Sequence, residues 1–156
     1  MKNIDAMADR QFVFGSVQIV SNQMNTLLER DLKEQDLTAK QWFLTAIIQK
    51  SFDYAPTIKE TAVAMGSSHQ NVKQVALKLA QKGFLTLEKD EKDARVTRIK
   101  LTPKIDSFRK ETQFKAANFI KNLFNGISED EMAATRSVLE KMLSNLEKME
   151  NGGQIK

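Results

Sequence analysis

Between Met65 and Leu87 the chain has no Asp or Glu, and Ser68, His69, Gln70, Asn71, Lys73 and Gln74 crowd into the middle of that stretch. Hydroxyl and amide side chains both donate and accept hydrogen bonds, the capacity needed to read the edges of bases. One lysine among them suits a phosphate or a guanine. An exposed helix ordinarily carries some acids, whereas one pressed against a polyanion should avoid them. The residues therefore point to contact with nucleic acid. His69 is the only histidine, so it reads as a DNA contact or a solvent-exposed residue rather than a metal ligand.

A second group, Lys89, Lys92, Arg95 and Arg98, follows within ten positions. These cations can straddle a sugar-phosphate backbone, and one arginine at a loop tip can enter a minor groove. Glu88, Asp90, Glu91 and Asp93 are interleaved with them, so simple electrostatics is not the whole account. Asp93 is expected to orient the tip, by pairing with Arg95 or by capping the loop. Taken alone this segment would read as a solvated, charge-balanced loop; the neighbouring acid-free stretch changes that reading.

Catalysis is poorly provided for. There is no cysteine, one histidine and no glycine-rich phosphate loop, and the carboxylates fall mainly at helix starts, where capping explains them. No enzyme, cofactor or metal is expected. The absence of cysteine also excludes disulfides and thiol-based sensing.

Six helices and one hairpin must position these groups. Val13, Val17, Val20, Met24 and Leu27 recur at helical spacing over about Asp9 to Leu32. Thr38-Ala-Lys-Gln41 and Thr57-Ile-Lys-Glu60 are capping-box patterns. The first opens a helix whose apolar face is expected to be Trp42, Phe43, Ala46 and Ile47. The second opens a short helix ended by Gly66. Ser67 or Ser68 then caps another, with Val72, Val75, Ala76 and Leu79 on its buried side and Gly83 at its end. Two short helices joined this way make a helix-turn-helix. Alternation on both sides of Glu88–Arg95 predicts a two-stranded hairpin with a long tip. Thr102-Pro103 starts a helix expected to bury Ile105, Phe108, Phe119, Ile120 and Leu123, and Ser128-Glu-Asp-Glu131 caps the last one. In that final helix Met132, Thr135, Leu139, Met142, Leu146 and Met149 form a near-heptad seam.

The predicted fold class is mainly α with a small β wing: a winged helix-turn-helix with N- and C-terminal helices forming a dimerisation region. The expected parts are an N-terminal dimerisation helix (1–36), the DNA-binding lobe (37–102), C-terminal dimerisation helices (103–150) and a flexible tail (151–156). Val13, Val17, Leu139, Met142, Leu146 and Met149 are expected at the dimer interface. Net charge is +4, yet residues 67–110 hold eleven Lys/Arg against five Asp/Glu, a local +6 that leaves −2 elsewhere. Such concentration suggests a polyanion partner at that place. No signal-peptide core or membrane-length apolar run is seen, so a cytoplasmic protein with no membrane partner is expected.

The chain resembles the MarR (multiple antibiotic resistance regulator) family over nearly its whole length. The resemblance is carried by Leu37-Thr38 with Gln41-Trp42, by Pro56-Thr57-Ile58 with Thr61-Ala62, by Ser68 and Val72, and by Leu79 to Gly83-Phe84. Most specific is the wing pattern, Asp90 and Asp93-x-Arg95 leading to Leu101-Thr102. Ala94 departs from the second arginine of many relatives, and Lys104-Ile105 follows Pro103 where a glycine is common. The resemblance implies a homodimer with interlocking terminal helices, recognition helices in successive major grooves of a pseudo-palindromic operator, and Arg95 inserted from the wing. It also implies a pocket for a small aromatic or phenolic ligand, with Phe12, Ser16, Trp42, Phe108 and Thr112 as candidate lining, although aromatic residues on a buried stripe are commonly plain core. The expected function is a dimeric DNA-binding transcriptional regulator, a repressor relieved by such an effector. The rival is a winged-helix protein-interaction module without DNA binding.

Overall fold

The computed structural model describes residues 8–152. The end of the expected tail, 153–156, and the first seven residues lie outside the described residues. In chain order the elements are α1 (Asp9–Asp31), a 3-10 turn (Lys33–Gln35), α2 (Ala39–Ser51), α3 (Ile58–Ala64), α4 (His69–Gln81), β1 (Leu85–Lys89), β2 (Thr97–Leu101), α5 (Lys104–Leu123) and α6 (Glu129–Glu150).

Capping chemistry sets the helix starts. The Thr38 hydroxyl accepts from the Gln41 N–H at 3.2 Å, and the Gln41 side chain accepts from the Thr38 N–H at 3.2 Å. Thr57 and Glu60 repeat the exchange at 3.1 and 2.7 Å, and Ser128 with Glu131 at 3.3 and 2.8 Å. Ser68 alone caps α4, accepting from Asn71 N–H at 3.2 Å. Each such cap contributes about 1 kcal/mol. Gly66 and Gly83 follow α3 and α4 with φ of +58° and +76°, the left-handed backbone that glycine adopts without a Cβ clash.

The chain forms two compact units, one through residue 116 and one from residue 117. In the first, Leu44, Ile48, Ile58, Ala62, Val72, Ala76, Leu79, Phe84, Leu85, Ile99, Ile105 and Phe108 form one buried core. The helix-turn-helix, α3 and α4, contributes a side to it, and β1 and β2 close it. The strands are antiparallel with Leu85 opposite Leu101 and Leu87 opposite Ile99, so period-two alternation turns Leu85 and Ile99 inward. A single bridge pairs Thr57 with Arg98, tying the hairpin to the start of α3. Phe84 and Phe108 meet edge-to-face at 5.5 Å.

Two expected faces differ from those observed. On α2 the buried side chains are Ala39, Gln41, Leu44, Thr45 and Ile48, while Phe43 is exposed and Trp42, Ala46 and Ile47 are half-buried. The stripe is chosen by the Leu44–Ile48 pair one turn apart, and the capping box draws Gln41 inward beside it. Residue hydrophobicity alone favours the aromatic pair. On α5, Ile105 and Phe108 are buried, Phe119 is half-buried, and Ile120 and Leu123 are exposed. Within this single chain the fully buried face of α5 ends at Thr112.

α1 buries none of its side chains; Phe12, Phe14, Val13 and Val17 are all exposed. In the second unit, the end of α5 and α6 likewise expose Leu139, Leu143, Leu146 and Met149, with Met132 and Met142 half-buried. Among the described residues no helix is long and apolar enough to cross a membrane.

Candidate nucleic-acid interface

Helix α4 has two sharply different sides. Val72, Ala76 and Leu79 are buried, whereas His69, Gln70, Lys73, Gln74 and Leu77 are exposed and fall on one face by their spacing. Ser68 is exposed at the cap, and its hydroxyl, already accepting from Asn71 N–H, retains its own proton for donation. Asn71 is half-buried, and its amide donates to the Ser67 hydroxyl at 2.8 Å. That leaves its carbonyl oxygen and second N–H for an outside partner.

An open groove of about 580 Å³ runs beside this helix, lined by Thr57, Ile58, Lys59, Glu60, His69, Lys73, Lys89, Arg95, Val96 and Thr97. It brings together three elements: the start of α3, the first turns of α4, and the wing. Of the sequence-predicted residues it gathers His69, Lys73, Lys89 and Arg95. Ser68, Gln70, Asn71, Gln74 and Lys92 lie outside its lining. Among the described residues Lys59, Lys73, Lys89 and Lys92 make no ion pair, so their charge is available to an external anion. Glu60 is the one acid in the lining. Its carboxyl sits below the usual range because the Thr57 backbone N–H, and then Thr57 and Tyr54 side chains, bond its charged form.

The wing tip is built by two aspartates. Asp93 both caps and pairs: its Oδ1 accepts from the Arg95 backbone N–H and from Arg95 Nε, each at 3.0 Å, and its Oδ2 accepts from Nη2 at 3.0 Å. The forked geometry holds an arginine side chain that is 91% exposed in one direction. Asp90 Oδ1 accepts from the backbone N–H groups of Lys92 and Asp93 at 2.9 and 3.0 Å. Arg98 is not among the residues lining the groove. Its Nε pairs with Asp90 and its Nη1 donates to the Ala55 carbonyl at 2.9 Å.

Sequence reasoning missed Lys59 and Leu77. Lys59 lies inside the Thr57–Glu60 capping box, which commits it to the exposed first turn of α3, a signal present in the sequence. Leu77 is one turn beyond Lys73 and Gln74 on the same face, where an apolar side chain can meet a thymine methyl.

Among the described residues, two separate spaces take up three of the five candidate effector residues. Trp42 and Thr112 border a narrow space with Leu28, Asp31, Leu32, Lys115 and Ala116 that leaves about 10 Å³ for a water centre. Thr112 Oγ1 already donates to the Phe108 carbonyl at 2.9 Å. Phe108 instead lines a separate open pocket of about 420 Å³ with Phe84, Lys82, Lys104 and Gln35. Phe12 is exposed and Ser16 half-buried on α1, and neither lines these spaces. Among the described residues no group of three His, Cys, Asp or Glu is placed to hold a metal ion.

Comparison with known proteins places this architecture. No family model matches the chain. The transcriptional repressor MprA of Escherichia coli K12 is 24% identical over 124 residues, 80% of this chain and 70% of its own length. A MarR protein from Peptoclostridium difficile superposes with a TM-score of 0.80 at 20% identity, covering 96% of this chain and 95% of that one. A cysteine-to-serine mutant of Escherichia coli MarR, solved in complex with operator DNA, gives 0.73 at 20% identity over 84% of this chain and 93% of that one.

Proposed function

This chain shares the fold of the MarR-family transcription regulators, and from that premise we propose that it is a homodimeric DNA-binding transcriptional regulator acting as a repressor. The observation that carries the reading is the groove where α4 meets the wing. Lys59, Lys73, Lys89 and Arg95 converge there, and its single acid is held by hydrogen bonds at the start of α3. Phosphates fit that charge, and Gln70, Gln74 and Asn71 supply donors and acceptors for base edges. The repressor assignment draws on the similarity to MprA.

Two-fold symmetry of the proposed dimer fixes the form of the operator. Selection from a random duplex pool is expected to enrich imperfect palindromes whose half-sites lie roughly 10 bp apart, one helical turn. Enrichment of a single asymmetric half-site, or of nothing, counts against the reading. The rival, a protein-interaction module, would favour acids or bulky apolar groups over residues 68–78. Leu77 is the only large hydrophobic exposed there, and there are no acids.

For a small aromatic or phenolic effector, the place to test is the space beside Trp42 and Thr112. That space is too small for an aromatic ring, so an effector there must part α1 from α5. Trp42 is the sole tryptophan, and its fluorescence reports such an opening. An unchanged spectrum on adding phenols and aromatic acids excludes an effector at this place.

A further inference from the structure

Arg98 stands among the wing cations in the sequence, yet its geometry differs from theirs. Lys89, Lys92 and Arg95 are exposed, whereas the Arg98 side chain is only 37% exposed and its partner Asp90 only 12%. The guanidinium takes two partners on different segments. One is the carboxylate of Asp90, at the start of the wing loop; the other is the carbonyl of Ala55, in the turn between α2 and α3. Its backbone adds to the same junction: Arg98 bridges Thr57, the cap of α3, and the next residue's N–H, that of Ile99, donates to the Pro56 carbonyl at 2.8 Å.

Asp90 is the centre of this arrangement. One carboxylate oxygen closes the loop by accepting from Lys92 and Asp93 N–H groups, and the other receives Arg98. The loop so closed is the one in which Asp93 holds Arg95. A chain of contacts thus runs from the α2–α3 turn through Arg98 and Asp90 to Asp93 and Arg95.

We propose that Arg98 is a positioning residue that latches the wing to the helix-turn-helix through Asp90 and Ala55, fixing where Arg95 is presented, and that it is not itself a DNA contact. The inference deepens the DNA-binding reading and rests on it for its consequence. The latch itself exists in the free protein and can be measured there.

The test uses the full chain with Arg98→Leu and Asp90→Asn. Asparagine keeps an oxygen to close the loop but loses the charge that holds Arg98. In the free protein both changes are expected to speed amide hydrogen exchange at Asp93 and Arg95 by about tenfold or more. With a selected duplex, both are expected to weaken binding by roughly fivefold to tenfold, while the slope of log affinity against log salt stays that of wild type because Arg95 still reaches the duplex and only the cost of ordering it rises. Asp90→Asn is the sharper arm, because deleting an acid near phosphates strengthens binding unless the acid positions something. Should Arg98→Leu fail to fold, Asp90→Asn decides alone. Unchanged exchange, tighter binding by Asp90→Asn, or a slope that falls by about one unit in Arg98→Leu overturns the latch. If wild type binds no duplex, the DNA reading fails while the exchange measurement still decides whether Arg98 and Asp90 order the wing.

Discussion

At the scale of single residues, the proposed interface divides into groups expected to attract a duplex and groups expected to read it. Lys73 and Arg95 border the same groove and are the proposed phosphate or minor-groove contacts. Replacing either with Ala is expected to weaken binding to any duplex and to lower the salt slope by about one unit. Gln70 and Asn71 present amides from α4, and their replacement by Ala is expected to change which sequence is preferred, by roughly 1–3 kcal/mol for each amide that reads a base. Equal effects of all four changes on selected and random DNA would contradict this division. The wing also has a defined pH behaviour. Arg98 chiefly lowers the Asp90 carboxyl, and Arg95 chiefly lowers that of Asp93, both from an ordinary 3.8. A depressed carboxyl favours the folded arrangement above its ordinary pKa, and that contribution disappears as pH falls through the lowered value. The Asp93 carboxyl carbon resonance should therefore titrate below the ordinary 3.8, with no movement near neutral pH; a midpoint at or above 3.8 would contradict the assignment.

At the scale of elements, most boundaries are legible because they are written in local chemistry. Thr38, Thr57, Ser68 and Ser128 each cap the helix that follows, through an oxygen and an amide three residues apart. The hairpin is equally local, since alternation alone turns Leu85 and Ile99 inward. What the sequence conceals is partner choice across distance. Nothing local links Arg98 to Ala55, 43 positions away, and nothing local tells Leu44 and Ile48 from the Trp42–Phe43 pair as the buried stripe of α2. The caps and the turn after α4 make a quantitative prediction. Ser68→Ala is expected to cost about 1 kcal/mol. Gly83→Ala is expected to cost roughly 1–2 kcal/mol from its left-handed backbone, because the added Cβ would meet nothing closer than Lys104 at 3.9 Å. Urea unfolding measures both, and a neutral Gly83→Ala would mean the turn relaxes.

At the scale of the whole molecule, each compact unit leaves large apolar side chains uncovered. Phe14 is 70% exposed on α1 and Leu143 67% on α6, and Val13, Val17, Leu139, Leu146 and Met149 are exposed beside them in sequence. Large apolar side chains left uncovered in this way are the kind that an interface covers in soluble proteins. The expected occupant is a second copy, which a closed two-fold assembly supplies. Sedimentation at micromolar concentration should give twice 17.7 kDa, and Val17→Glu or Leu146→Glu should lower it; a wild-type mass of 17.7 kDa would contradict the dimer.

The proposed function depends on the exposed side of α4 and the wing meeting a duplex together. Backbone amide resonances followed while a selected duplex is added test this most directly. Shifts are expected to concentrate at Lys59, His69 to Gln74 and Lys89 to Arg95, with Val72 and Ala76 moved only through their neighbours. Shifts confined to α1 or α6, or none at saturating DNA, would contradict it.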